Sequence, residues 1–250
     1  MKFGIIGYGN LGKAVASALI CTGKVLAHDI SVYDNSEAAL CVAKKESFNT
    51  FSEGSINLMV NNSDVICIIV KGYVFEELAK EIDKSALKNK LVISMMAGET
   101  FEKIYSYIGN VDLAIAMPSI AIANNTGVMA YTKIPENVYD IFSRFGYIFE
   151  TEPNMIEKAM AFASCGLGFA AYLTDAFACA GEAMGFSPET ASHIAALTFK
   201  NAGDIGNFKE TIKAVATPGG ATEQGINFMD ESGVYKIVAG AVQKAYERVI

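Results

Sequence analysis

Near its start the chain reads Gly7-Tyr8-Gly9-Asn10-Leu11-Gly12, a GxGxxG spacing. The three glycines have separate physical uses: a tight turn at Gly7, access to bare backbone at Gly9, and close helix packing at Gly12. The apolar run Lys2–Ile6 precedes the motif without a gap, and an amphipathic pattern through Ala14, Ala16 and Leu19 follows it. A helix opening there, with Asn10 and Leu11 in its first turn, points unpaired N–H groups and a positive dipole end at the loop. Such an end receives a diphosphate, and a strand, loop and helix in this order predict a dinucleotide. A structural glycine turn is the alternative.

Three further segments fall where strands of a parallel sheet end, the side on which ligands lie. Asp34, in Tyr33-Asp34-Asn35-Ser36, stands about 20 residues beyond the glycines, where a carboxylate accepts from ribose hydroxyls and repels a 2′-phosphate. With no arginine close behind it, the segment favours NADH and leaves NADPH open; Asp34 as a turn former or helix cap is the competing reading. Lys71, ending the run Val65–Val70, is placed to touch the nicotinamide ribose or the diphosphate, or is a solvated surface lysine. Ser94–Gly98, with Ala97, and Ala116–Ser119 line the same crevice.

A second constellation lies far downstream, at Thr217-Pro218-Gly219-Gly220-Ala221-Thr222. A Pro-Gly-Gly loop feeding a helix leaves backbone N–H groups for an anion such as a carboxylate, with two threonine hydroxyls beside them. A plain helix–helix turn with a threonine cap fits the same residues. His28 and His193 are the only histidines and lie on no motif. The five cysteines show no CxxC spacing, so no metal site is expected and reduced thiols are.

These residues need positioning, and the pattern along the chain supplies it. Short β-rich runs (Lys2–Ile6, Ile30–Tyr33, Val65–Val70, Leu91–Ser94, Leu113–Ala116) alternate with helical stretches starting near Asn10, Ser36, Tyr73 and Thr100. The alternation predicts an α/β fold, a Rossmann-like doubly wound sheet. Val128–Tyr131, a helix from Pro135, and Tyr147–Glu150 complete it. After Pro153 the chain reads as helix with short breaks, and Ser187-Pro188 is a helix start. The expected domains are therefore a dinucleotide-binding domain over 1–153 and an all-α dimerisation and substrate domain over 154–250.

Composition narrows the classes. With 52% hydrophobic residues over 250 positions there is material for a large core and an apolar interface. A net charge of -7 and no clustered basic residues exclude nucleic acid as a partner. The apolar stretch Met155–Gly185 is interrupted by Asp175, Gly166 and Gly168, which predicts a buried or subunit-facing helix rather than a membrane span. No signal peptide is evident, so a cytoplasmic protein is expected, at least a homodimer.

Taken together, GIIGYGNLG, DVICIIVKG, LVISMMAGE, AMPSIA and VATPGGATEQGI resemble the Δ1-pyrroline-5-carboxylate reductase family, in order and almost end to end. TPGGAT, similar to that family's SPGGTT/SPGGAT signature, is the most specific part. The resemblance implies NAD(P)H-dependent reduction of the C=N bond of 1-pyrroline-5-carboxylate to L-proline, the last step of proline biosynthesis. It implies that Thr222 hydrogen-bonds the ring nitrogen and that Gly219, Gly220 and Ala221 offer N–H groups to the carboxylate. Thr217 then stands in place of the family's serine, and Lys71 matches the lysine of its VKP motif. The chain departs from the pattern at Gly72 (proline in VKP), Ser119 (asparagine in MPN) and Ala121 (a proline), and keeps only part of SGSGPA at Ala163–Gly168.

Two alternatives carry forward: a reductase of a different cyclic imine, and a non-catalytic NAD(P)-binding regulator. A relative of the 3-hydroxyacid dehydrogenases is disfavoured because Cys165–Ala178 lacks the lysine that group would need. Absence of an evident strong acid also suits an imine, which is protonated before reduction, better than a ketone, whose alkoxide needs a donor.

Overall fold

The computed structural model describes residues 1–249. Among them, eight strands form one sheet in the order β3-β2-β1-β4-β5-β6-β7-β8. The strands are β1 Phe3–Ile6, β2 Ile30–Tyr33, β3 Asn49–Phe51, β4 Val65–Ile68, β5 Leu91–Ser94, β6 Asp112–Pro118, β7 Gly127–Tyr131 and β8 Gly146–Glu150. Between and after them run α1 Asn10–Cys21, α2 Glu37–Lys45, α3 Ile56–Asn61, α4 Gly72–Leu78, α5 Phe101–Ile108, α6 Glu136–Phe142 and α7 Ile156–Ala159. The helices α8 Cys165–Ala183, α9 Pro188–Ile205, α10 Phe208–Val215, α11 Ala221–Glu231 and α12 Val234–Glu247 complete the chain.

All neighbouring strands are parallel except β6 and β7, which are antiparallel. The order doubles back beside β1: Phe3 lies opposite Ile30 on one side and Val65 on the other. That reversal between β1 and β4 opens the crevice in which ligands of such sheets lie. β1, β2, β4 and β5 are buried on both faces, which accounts for their unbroken apolar sequences. The edge strand β3 and the short helix α3 were not expected from sequence; Asn49-Thr50-Phe51 has too few apolar residues to read as strand and pairs only with β2.

Local chemistry sets the helix starts. Ser36 Oγ accepts from Ala39 N–H, Thr100 Oγ1 from Lys103 N–H and Ser187 Oγ from Thr190 N–H, each satisfying a donor of the first turn. α1 packs through small side chains (Gly12, Ala14, Ala16, Ala18) together with Val15 and Leu19. Phe142, the last residue of α6, stacks on Phe145 at 4.8 Å and on Phe3 at 6.3 Å, seating α6 against β1 in the core.

The chain divides into two compact units, Met1–Ser164 with the C-terminal residues from Tyr246, and Cys165–Ala245. The change of texture at Pro153 precedes this division, because α7 and a π-helical turn, Met160–Ser164, pack on β6 and β7. Ser164 Oγ donates to Met117 O at 3.2 Å and anchors that turn. In the second unit α8 and α9 pair, with Phe177 edge-on to Phe199 at 6.0 Å. Among the described residues, one helical run, Pro153–Ala183, is long and apolar enough to cross a membrane by length and composition.

Among the described glycines the closest approach of backbone is at Gly12, where a Cβ would stand 2.1 Å from Gly7 O. Alanine would gain about 1 kcal/mol in helix propensity, but forcing atoms into a packed contact costs about 1–3 kcal/mol and here displaces backbone. Because backbone must move, the cost falls at the upper end of that range, and Gly12→Ala is expected to lower the urea unfolding free energy by about 2 kcal/mol net; an unchanged midpoint would show that the loop and helix are not in contact.

Candidate functional site

The first unit gathers the sequence-selected residues at the carboxyl ends of β1, β2, β4 and β5. Gly7 has φ +99°, and its N–H donates to Tyr33 O at 2.9 Å, continuing the β1–β2 ladder into the loop. A Cβ on Gly7 would meet Val70 Cγ1 at 2.7 Å and Ile69 O at 2.8 Å, whereas one on Gly9 would meet nothing within 4 Å. Gly9 is therefore the open position. It precedes α1 in extended conformation, no side chain caps the helix, and the first turn contains no acid. The N–H groups of Asn10, Leu11 and Gly12 have no preceding turn of helix to bond, and the dipole end is unneutralised. These are the features a diphosphate needs, so the residues present fit a dinucleotide.

Asp34 lies where the sequence predicted and does more than expected. Its Oδ2 accepts from Tyr8 N–H and its Oδ1 from Ser36 N–H, both at 2.7 Å. One carboxylate thus ties the glycine loop to the turn entering α2. The ribose and the turn-forming readings of Asp34 coexist, since each oxygen retains a second lone pair. Beside it a cavity of about 390 Å³ extends from Gly7 and Asp34 toward α4.

Tyr8, unremarked in the sequence, is buried in the same loop. Its Oη donates to Glu46 Oε2 at 2.8 Å, its ring meets Phe48 edge-on at 6.2 Å, and burial with the Glu46 contact pushes its phenol pKa well up. No spacing pattern links positions 8 and 46; only the fold pairs them.

The ends of β4 and β5 carry Lys71 and Ala97, both exposed. Between them sits an arrangement that explains a departure from the family pattern. A Cβ at Gly72 would lie 1.8 Å from Glu99 Oε1, so the buried Glu99 occupies the space that a proline ring would take. Glu99 Oε1 pairs with Lys103 Nζ at 2.8 Å. Gly98 N–H donates to Glu157 Oε1 at 2.9 Å, while Oε2 of both Glu99 and Glu157 is buried without a hydrogen-bond partner. Burial, and secondarily the Glu99 charge, raise the Glu157 pKa against the opposing Gly98 hydrogen bond. Ser119 is buried and turned onto β7, its Oγ accepting from Val128 N–H at 3.1 Å. Ala121 is half-buried.

In the second unit the loop before α11 is held by its own backbone. Gly219 has φ +73°, a conformation that favours glycine. Gly219 N–H donates to Glu223 Oε2 at 2.7 Å and Gly220 N–H to Thr217 O at 2.9 Å. Two of the three N–H groups expected to face an anion are thereby engaged internally. Ala221 and Thr222 begin the helix, where no earlier turn supplies carbonyl partners and no side chain caps them. Thr217 and Thr222 are exposed. His28 and His193 are exposed and distant in sequence from both loops, and no cluster able to hold a metal occurs among the described residues.

Comparison with known proteins matches two separate stretches of the chain. Residues 153–250 match the model described as pyrroline-5-carboxylate reductase dimerisation, and residues 2–98 the model described as NADP oxidoreductase, coenzyme F420-dependent. The pyrroline-5-carboxylate reductase of Aquifex aeolicus is 28% identical, covering 99% of this chain and 96% of the relative. That of Escherichia coli is 27% identical with the same coverage. Among solved structures, the Plasmodium falciparum pyrroline carboxylate reductase with NADP bound has a similar fold, TM-score 0.90 at 22% identity over 100% of this chain and 97% of that one.

The raised Glu157 pKa has a definite sign for stability. A carboxyl raised on folding contributes stability that is present below its unfolded value near 4.5 and lost as pH rises through the folded value. Glu157→Gln, which keeps the acceptor for Gly98, is expected to melt closer to the same temperature at pH 5 and pH 8 than the wild type does. Thermal scans that fall equally with pH in both proteins would show that Glu157 ionises freely.

Proposed function

The chain belongs to the pyrroline-5-carboxylate reductase family, and from that premise we propose that it reduces the C=N bond of 1-pyrroline-5-carboxylate to L-proline with a nicotinamide dinucleotide. The observation that carries the reading is the pairing, within one chain, of an uncapped helix start behind the glycine loop with the intact Thr217–Thr222 loop before α11. When bound, the cofactor supplies a hydride from C4 of its nicotinamide to the imine carbon.

Gly7, Gly9, Asn10, Leu11 and Gly12 are assigned to the diphosphate, received on backbone N–H groups at the start of α1. Lys71 and Ala97, exposed at the ends of β4 and β5, are assigned to the nicotinamide side. Asp34 presents its carboxylate at the adenosine side and supports a preference for NADH over NADPH. Substrate binding is assigned to the loop before α11. Ala221 N–H serves the carboxylate, with Gly219 and Gly220 contributing once their internal bonds exchange, and Thr217 stands beside them. Thr222 Oγ1 holds the ring nitrogen. A protonated imine already carries the charge that draws hydride, so these residues orient the substrate and need not include a strong acid.

The protein assembles as a homo-oligomer, and residues 153–250 are assigned to the contact between copies. The second unit by itself leaves large apolar side chains exposed, among them Tyr172, Phe228, Tyr235 and Ile237. A second copy covers such a surface, and the apolar run through α8 then serves subunit contact rather than a bilayer.

The test follows oxidation of NADH and NADPH by absorbance with 1-pyrroline-5-carboxylate. Turnover is expected, faster at low concentration with NADH, and Thr222→Ala should lose on the order of 100-fold in kcat/KM, the cost of one transition-state hydrogen bond. Protein that binds NADH yet turns over only another cyclic imine would retain the chemistry and change the substrate. Binding without turnover of any imine would favour the regulator.

A further inference from the structure

The cavity beside the glycine loop has a wall that the motif does not account for. Its apolar side is formed by Val70, Val74 and Leu78, with the exposed ring of Tyr73 at its rim. The same lining carries three carboxylates, Asp34 at the end of β2 and Glu77 and Glu81 in and just beyond α4, and none of its lining residues is Lys or Arg. Tyr33 also lines it, 3% exposed, with an Oη that finds no hydrogen-bond partner. An unsatisfied buried hydroxyl beside a cavity of about 390 Å³ marks a place where a ligand's polar group completes the bonding.

Asp34 is not the only carboxylate at this cavity, and each of its oxygens has one lone pair left for a ribose hydroxyl. Both of its oxygens hold backbone N–H groups, those of Tyr8 and Ser36. This has a second consequence. The Ser36 N–H at the entry to α2 is a donor that a 2′-phosphate would use, and it is already taken by a carboxylate of the chain. The neighbouring Ala39 N–H is taken by Ser36 Oγ.

We propose that Glu81, with Glu77, is a specificity determinant of the adenosine pocket, repelling a 2′-phosphate from the α4 side while Asp34 closes the α2 side. The inference rests on the dinucleotide reading above and extends it to residues outside the glycine motif. Glu81 makes the larger contribution. Glu77 pairs with Lys80 at 2.6 Å, which offsets part of its charge, and no side-chain partner of Glu81 occurs among the described contacts. Glu81, with Glu53 and Asp34, also acts electrostatically on the Tyr33 phenol, behind the larger effect of burial; all of them raise its pKa. A dianionic 2′-phosphate entering here meets carboxylates and no cation among the lining residues, whereas a ribose 2′-hydroxyl is a donor to those same acceptors.

The experiment measures Kd for NADH and NADPH by fluorescence titration on the full chain, for wild type, Glu81→Gln, Glu77→Gln and the double variant. The readout is the ratio of the two Kd values, which a general loosening of the pocket would leave unmoved. Wild type is expected to bind NADH more tightly. Each charge removed should improve NADPH relative to NADH, about 3-fold for Glu81 and less for Glu77, as exposed charges interact. The wild-type ratio should also shrink between 50 mM and 500 mM KCl, because screening weakens repulsion across an open pocket. A double variant that binds NADH with the wild-type ratio overturns the inference and leaves the cofactor reading standing. A wild type that binds neither dinucleotide overturns both.

Discussion

The carbonyl of Gly7 and the α-carbon of Gly12 approach so closely that no side chain fits between them. Much of the first unit follows from that contact. It seats α1 directly against the end of β1, and with it the helix start, whose unpaired N–H groups would otherwise be set back from the crevice. The strand order reverses beside β1, so the same point is also the mouth of the sheet. One steric constraint therefore fixes where an anion can be received, and the small residues along the buried face of α1 let the helix lie close enough to satisfy it.

Electrostatics then shape what the loop is allowed to hold. Asp34 sits at the end of β2 and uses both carboxylate oxygens on backbone, one on the glycine loop and one on the entry to α2. A charge placed there is a structural clasp between the loop and the helix entry. Tyr8 gives the loop a second tie, reaching through the core to Glu46. Neither tie leaves the loop's outer face obstructed, since Gly9 stays open.

The departures from the family pattern are compensated locally. Gly72 gives up a proline ring, and Glu99 fills the vacated space with a carboxylate paired to Lys103. The cost is a buried acidic neighbourhood with Glu157, whose pKa is raised mainly by burial. Ser119 spends its hydroxyl on β7 instead of the crevice. The loop before α11 keeps its glycines because Gly219 adopts a left-handed backbone and Gly220 lies against Thr217, where a Cβ would stand 2.6 Å from its Oγ1.

By itself the sequence determined the alternation that makes the sheet, the place of the glycine loop, the helix starts near Ser36 and Thr100, the cap at Ser187, and the all-helical second half. Each of these is local: a period, a spacing of a few residues, or a side chain reaching its own backbone. The tertiary structure decided what depends on residues distant in the chain. β3 became a strand only because β2 offered an edge, and the antiparallel turn of β7 against β6 carries no mark in either segment. The clasp of Asp34 on Tyr8, the bond from Tyr8 to Glu46, the filling of Gly72 by Glu99 and the acid wall of Glu77 and Glu81 likewise arose on folding. The physical reason is that a side chain's charge and volume are written in the sequence, but its partner is chosen by the sheet that brings separate strand ends to one crevice.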